Sequence, residues 1–264
     1  MIPFADGVVS GSVHNQFSMD EHEGILRIAT TEGFSDSNNV FCLDRFLEPV
    51  GELRGIAPGE RIFSARYVDT RLYMVTFRQV DPFFVIDLAD PTQPRVLGEL
   101  KITGFSRYLH PYDQNTVIGF GRQATETGRQ LGLKISLFDV TDVTTPIETA
   151  SFELTEAYAS SNAEWEHKAF LFSKEKQLMV IPASFRSNSI RQSLNGAMVF
   201  EVTRTSVRLR GLIDHIITSE DNFYRRYVER SLYIEDVLYT KSACLLRIIA
   251  LDSLIGLRNI DIAC

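Results

Sequence analysis

Cysteine is scarce in this chain of 264 residues: Cys42, Cys244 and Cys264 are the only three. They are too few and too scattered for a disulfide scaffold, and no Cys-x-x-Cys pair offers zinc ligation or thiol exchange. Each is expected to pack as a small hydrophobe. Basic charge is also short, with 27 Lys and Arg against 34 Asp and Glu and a net charge of -7, which argues against a nucleic-acid partner held through its phosphates. No apolar run reaches the roughly 18 to 20 residues of a membrane-spanning helix; Ile248-Ile249-Ala250-Leu251 already ends at Asp252. The opening Met1-Ile2-Pro3-Phe4-Ala5-Asp6 has neither the basic start nor the apolar core of a signal peptide. Taken alone, that reads either as a cytoplasmic chain or as one whose first residues are not the native start. Catalytic signatures are missing too: there is no Gly-x-Ser-x-Gly elbow, no glycine-rich phosphate loop and no histidine pair at metal-ligand spacing. No cofactor and no metal are expected.

What the chain does have is repetition. The stretch Phe83-Phe84-Val85-Ile86-Asp87-Leu88-Ala89-Asp90-Pro91-Thr92-Gln93-Pro94 returns as Ile135-Ser136-Leu137-Phe138-Asp139-Val140-Thr141-Asp142-Val143-Thr144-Thr145-Pro146. Weaker copies begin at Val40, Met198 and Ile248. Upstream of each copy lies a pair of short β-rich segments, the first of each pair being 16–19, 63–68, 106–110, 168–172 and 231–234, with turn signals such as Asp69-Thr70 and Asp113-Gln114-Asn115 within the pairs. A helical apolar period competes only weakly, around 219–228. The chain therefore reads as a tail, 1–14, followed by one all-β domain, 15–264, with units near 15–53, 62–100, 105–154, 166–213 and 228–262.

Four strands per unit of about 40 to 60 residues is the pattern of a β-propeller, here of about five blades, closed among themselves or forming part of a larger propeller. In the Asp-x-x-Asp-Pro-x-x-Pro pattern the aspartates are expected to cap the turn after the third strand, and the prolines to set the entry to an edge strand. Calcium loops alternate their oxygen ligands differently. The long segments 123–132, 155–165, 183–196 and 214–227 all fall on the side carrying the second-to-third turns and the blade-to-blade connections. That side is where a partner is expected.

Several stretches resemble a known family: Asn15-Gln16-Phe17-Ser18-Met19-Asp20-Glu21, Leu26-Arg27-Ile28-Ala29-Thr30-Thr31, Val75-Thr76-Phe77-Arg78-Gln79-Val80-Asp81-Pro82-Phe83-Phe84-Val85-Ile86-Asp87-Leu88, His167-Lys168-Ala169-Phe170-Leu171-Phe172 and Arg230-Ser231-Leu232-Tyr233-Ile234. They are similar to bacterial and archaeal proteins described as secreted, with a C-terminal β-propeller domain distantly related to WD-40 repeats. The resemblance implies the propeller fold and an extracytoplasmic setting, and it brings no catalytic residues with it. Members are typically longer, with an export or anchoring signal and further propeller sequence.

Candidate chemistry centres on a few residues. His167, beside Glu166 and Trp165, is placed at the start of the fourth unit; a histidine next to a carboxylate suits a base or a ligand, although neighbours on a strand point to opposite faces. Arg78, Gln79 and Asp81 are expected in the loop between the second and third strands of unit two, where Arg78 would fork an anion or brace Asp81. Arg66, Arg107 and Arg230 fall in first strands and would line a central channel, and Arg186 lies in the long 183–196 segment. The expected function is non-enzymatic: recognition of a protein or an extracellular polysaccharide through the long-loop side. A hydrolase or lyase using His167 with Glu166 or Asp81, and purely structural blades of a larger ring, are the alternatives.

Overall fold

The computed structural model describes residues 4–33, 37–77, 81–125, 127–154, 159–187, 192–215 and 227–262. Among the described residues twenty strands form five four-stranded antiparallel sheets, each a simple meander in chain order, which is the blade pattern of the repeats. Blade 1 holds β1 (Met19–His22), β2 (Ile25–Glu32), β3 (Ser37–Leu43) and β4 (Pro49–Ile56). Blade 2 holds β5 (Arg61–Val68), β6 (Arg71–Phe77), β7 (Asp81–Asp87) and β8 (Arg95–Ile102). Blade 3 follows with β9 (Phe105–Asp113), β10 (Thr116–Ala124), β11 (Gln130–Asp139) and β12 (Ile147–Leu154). Blade 4 comprises β13 (Leu171–Ser173), β14 (Leu178–Ser187), β15 (Gln192–Val202) and β16 (Val207–Asp214), and blade 5 comprises β17 (Val228–Ile234), β18 (Val237–Ser242), β19 (Leu245–Ala250) and β20 (Gly256–Asp261). The chain forms two compact units, 1–130 with 136–149, and 131–135 with 150–264.

In the first unit the period-two geometry of a strand explains the unbroken apolar run of blade 2. Alternate side chains leave opposite faces of the sheet, and both faces are covered. Leu72, Met74, Phe84 and Ile86 pack with Ala29, Val40 and Cys42 of blade 1. Their neighbours Tyr73, Val75, Phe83 and Val85 turn the other way and pack with Phe105, Leu109, Val117 and Phe138 of blade 3, where Phe83 stacks on Phe138 with ring centroids 4.4 Å apart. Arg27 is a buried exception. It forks Asp20 through Nε at 2.7 Å and Nη2 at 2.5 Å, donates Nη1 to the Asp69 carbonyl at 2.7 Å and lies over the Tyr67 ring.

In the second unit Leu178, Val180, Ala197 and Val199 of blade 4 pack with Leu238, Ile249 and Leu251 of blade 5. Blade 5 is asymmetric. Along β18 burial alternates strictly, Leu238, Thr240 and Ser242 being buried while Val237, Tyr239 and Lys241 are half-buried, and every residue of β20 is exposed.

A backbone contact recurs between blades. The third-to-fourth turn of one blade lies over a glycine in the fourth strand of the blade before it, so closely that no side chain fits. A Cβ on Gly51 would stand 2.2 Å from the Pro91 carbonyl oxygen, and one on Gly98 would stand 2.4 Å from that of Val143. In the second unit the counterpart is looser: a Cβ on Gly211 would meet only the Cδ1 methyl of Leu254, at 2.7 Å, a side-chain end that can shift. The turns themselves are held as the repeat predicts. Asp87 and Asp139 accept the N–H groups of Ala89 and Thr141, and Asp90 and Asp142 accept both N–H and hydroxyl of Thr92 and Thr144 at 2.7–2.9 Å for the latter four bonds.

Local corrections follow from side chains that compete with the ladder. Residues 16–18 form a 3-10 turn rather than a strand, because Asn15 Oδ1 accepts the Phe17 N–H at 2.9 Å and caps it, so β1 starts at Met19. Residues 167–169 are likewise a 3-10 turn, and the first strand of blade 4 begins only at Leu171. The expected long loop at 183–196 is largely a two-stranded arm, paired from Ala183 with Gly196 out to Ser187 with Gln192. His110 lies within β9 opposite Ile118. Cys42 is a buried free thiol as expected, whereas Cys244 is disulfide-bonded. The weak helical signal at 219–228 falls mostly outside the described residues.

Candidate functional site

Two consecutive 3-10 turns border a groove in the second unit. Ser161 caps the first by accepting the Ala163 N–H at 3.2 Å, and Glu164 reaches back to the Ser161 N–H. The N–H groups of Trp165 and Glu166 then both go to the Asn162 carbonyl. This tight reversal leaves Trp165 with its side chain in solvent, 66% exposed. Glu166 opens the second turn by accepting the Lys168 N–H at 3.2 Å. Its other oxygen lies 3.7 Å from Nη2 of Arg230 on β17. Arg230 Nη1 is anchored on the Glu229 carbonyl at 2.9 Å, and the Glu229 carboxylate takes Lys241 Nζ at 2.6 Å.

Asn162, Trp165, Glu166, Glu229 and Arg230 line a groove of about 390 Å³. Next to it lies a smaller recess of about 10 Å³, room for one water, lined by Ser160, Ser161, Asn162, Ser184 and Tyr227 among others. The Glu166 carboxyl is held below the usual carboxylate range, first by the Lys168 N–H and further by the charges of Arg230, His167 and Lys168.

Of the residues nominated from sequence, the structure brings Glu166 and Arg230 together. His167 sits in the adjoining turn, where its carbonyl accepts the Phe170 N–H, and it does not line the groove. Since Glu166 and His167 stand on a turn rather than a strand, the strand argument for their divergence does not apply. Arg66 is not a free channel cation. Its Nε donates to the Leu109 carbonyl at 2.9 Å, its guanidinium lies 3.9 Å over the Phe17 ring, and burial lowers its pKa. Asp81 is not in a loop but opens β7, paired with Ile102. Arg186 is in β14 opposite Ser193; Arg78 and Gln79 lie outside the described residues.

Sequence reasoning passed over three features. Trp165 was noted only as a neighbour, although a lone tryptophan beside a capping box is a signal for an exposed ring. The Arg27–Asp20 pair carries no local motif. His215, buried, is gripped by Ser242 Oγ at 3.1 Å and Thr240 Oγ1 at 2.8 Å, and burial together with the Arg247 charge pulls its pKa down to about 4. Because Ser242 is also buried and faces the Leu245 carbonyl, this His–Ser contact is a brace inside the blade. Among the described residues no three His, Cys, Asp or Glu side chains converge as a metal site.

The model of the family described as "Beta propeller domain" matches residues 2–254. An uncharacterised protein of Methanocaldococcus jannaschii is 38% identical over 241 residues, 89% of this chain and 35% of that protein. Another, from Archaeoglobus fulgidus, is 43% identical over 175 residues, 66% of this chain and 27% of its own length. The chain thus spans about a third of the curated relatives it matches. Among solved structures, a protein from Lactobacillus plantarum aligns with a TM-score of 0.55 at 10% identity, covering 96% of this chain and 72% of that one, a likeness of fold.

Proposed function

The chain belongs to the beta propeller domain family, and from that premise we propose that it is a non-enzymatic binding module that holds an extracellular polysaccharide along the Trp165 groove. The observation that carries this is the ring itself. An indole left two-thirds in solvent beside a groove offers a flat apolar surface to the C–H face of a pyranose, while Glu166, Arg230 and Asn162 supply donors and acceptors for its hydroxyls. The hydrolase or lyase reading draws less support. A carboxylate kept ionised by a backbone N–H and an arginine is a poor general acid near neutral pH. The disulfide at Cys244 is in keeping with an oxidising, extracytoplasmic setting.

Affinity electrophoresis or a glycan array, run with the parent chain and Trp165→Ala, tests the proposal. The expected result is binding about tenfold weaker or worse, the loss of one stacked ring at ~1.4 kcal/mol, with an unchanged melting temperature. Equal retention of both proteins on every polysaccharide bound overturns it.

A further inference from the structure

Arg71 and Tyr73 stand two residues apart on β6 and so leave it on the same face, where Tyr73 packs with Phe105, Leu109 and Val117 of blade 3. Tyr73 is 1% exposed and stacks on Phe83 with ring centroids 5.8 Å apart. Its hydroxyl oxygen, also buried, meets no hydrogen-bond partner. A phenylalanine would fill the same core without the cost of an unmatched polar group. Tyr73 closes a recess of about 150 Å³ that opens within the first unit between two first-to-second turns. Asp69, Thr70 and Arg71 line it from blade 2, Gln114 and Asn115 line it from blade 3, and of these six residues Tyr73 alone is buried. The volume is that of about five waters, room for a molecule of roughly six or seven non-hydrogen atoms.

The lining carries one charge of each sign, and local bonding keeps both for an occupant. Asp87 lies directly across from Arg71, but its Oδ1 accepts the Ala89 N–H and its Oδ2 takes Arg95 at 3.0 and 3.2 Å. Among the described residues no ion pair joins Arg71 to Asp87 or to Asp69. Asp69 sits in a two-residue turn at φ 49°, and the turn is anchored by its carbonyl, which accepts Arg27 Nη1 at 2.7 Å. We propose that this recess binds a small free α-amino acid, of the size of alanine or serine. Arg71 and the Tyr73 O–H hold the carboxylate, Asp69 holds the ammonium, and the side-chain amides of Gln114 and Asn115 meet the remaining polar group. A simple carboxylate would set a like charge against Asp69, and a simple amine would set one against Arg71. A sugar finds no ring face to stack on, because that of Tyr73 is already on Phe83. The site stands independently of the Trp165 groove.

The test titrates the full chain with L-serine, L-alanine and glycine and follows the amide NMR signals of residues 69–71 and 114–115. The expected result is a saturable shift at millimolar concentration or below, as suits so small a ligand. Lactate and ethanolamine, which each carry half of the charge pattern, are expected to bind about tenfold more weakly or worse. Tyr73→Phe should weaken L-serine about tenfold without lowering the melting temperature, since the hydroxyl it removes bonds nothing in the chain. Asp69→Asn keeps a residue that tolerates left-handed backbone and should bring lactate level with L-serine. No saturable shift with any of the three amino acids overturns the proposal. So does lactate that matches L-serine on the parent chain, which makes the recess an anion site only. Affinity for L-serine that is unchanged in Tyr73→Phe also overturns it, whatever the melting temperature.

Discussion

Blades 2 and 5 are built from the same four-strand plan, yet the side chains of their inner strands are buried to different extents. In blade 2 consecutive residues of β6 and β7 are buried without a break, because odd positions pack one way and even positions the other. In blade 5 the buried residues of β18 alternate with half-buried ones, and β20 is bare. The repeat fixes the sheet, while the neighbours decide how much of its surface contributes to stability. Area removed from water at about 25 cal/mol per Å² favours the doubly covered blade.

Four experiments would break or sharpen this contrast. The largest effect is expected from Phe83→Ala, which removes a ring stacked between blades and should cost about 4 kcal/mol, against about 1 kcal/mol for Ile248→Ala in blade 5; equal losses in urea unfolding would end the comparison. Next comes Gly98→Val. Forcing a side chain against the Val143 carbonyl should cost about 3 kcal/mol, and the same change at Gly256 less than about 0.5 kcal/mol.

Third is pH. His215 lies on the covered face of blade 5 and stays neutral in the folded chain down to about pH 4, whereas an unfolded histidine titrates near 6.5. The unfolded state therefore takes up the proton first. Its contribution, of the order of 3 kcal/mol, is complete above about pH 6.5 and is lost as pH falls toward 4. His110 in blade 3, also pulled to about 4 by burial and then by Arg66, adds in the same direction. Urea midpoints between pH 7 and pH 4.5 should fall steeply for the parent chain and less steeply for His215→Gln. The smallest effect on stability, within about 0.5 kcal/mol, is expected for Trp165→Ala, whose loss should appear only in polysaccharide binding.

The blades could be read from sequence because Asp87, Asp90 and Pro94 recur as Asp139, Asp142 and Pro146, and both sets make the same turn. The errors lie where side chains outbid the ladder: Asn15 caps one 3-10 turn and Glu166 another, and each displaces a first strand by several residues. The groove was half legible. Glu166 and Arg230 were nominated separately, but what joins them is the packing of blade 5 beside the turns before blade 4, a long-range contact without a local signature. For Arg66 the partners were not legible for the converse reason, since Phe17 and Tyr108 come from distant stretches to hold it. Cys244 shows that counting cysteines does not reveal which of them are bonded.

A contact made of a bare backbone on one side and a capped turn on the other carries almost no sequence information. The turn meets the glycine through its carbonyls, so this contact by itself asks for no compensating side chain when the turn residues vary. Covariation between adjacent blades should accordingly be absent at Gly51 and Gly98 and concentrated in pairs such as Phe83 with Phe138, where the order of the blades is written.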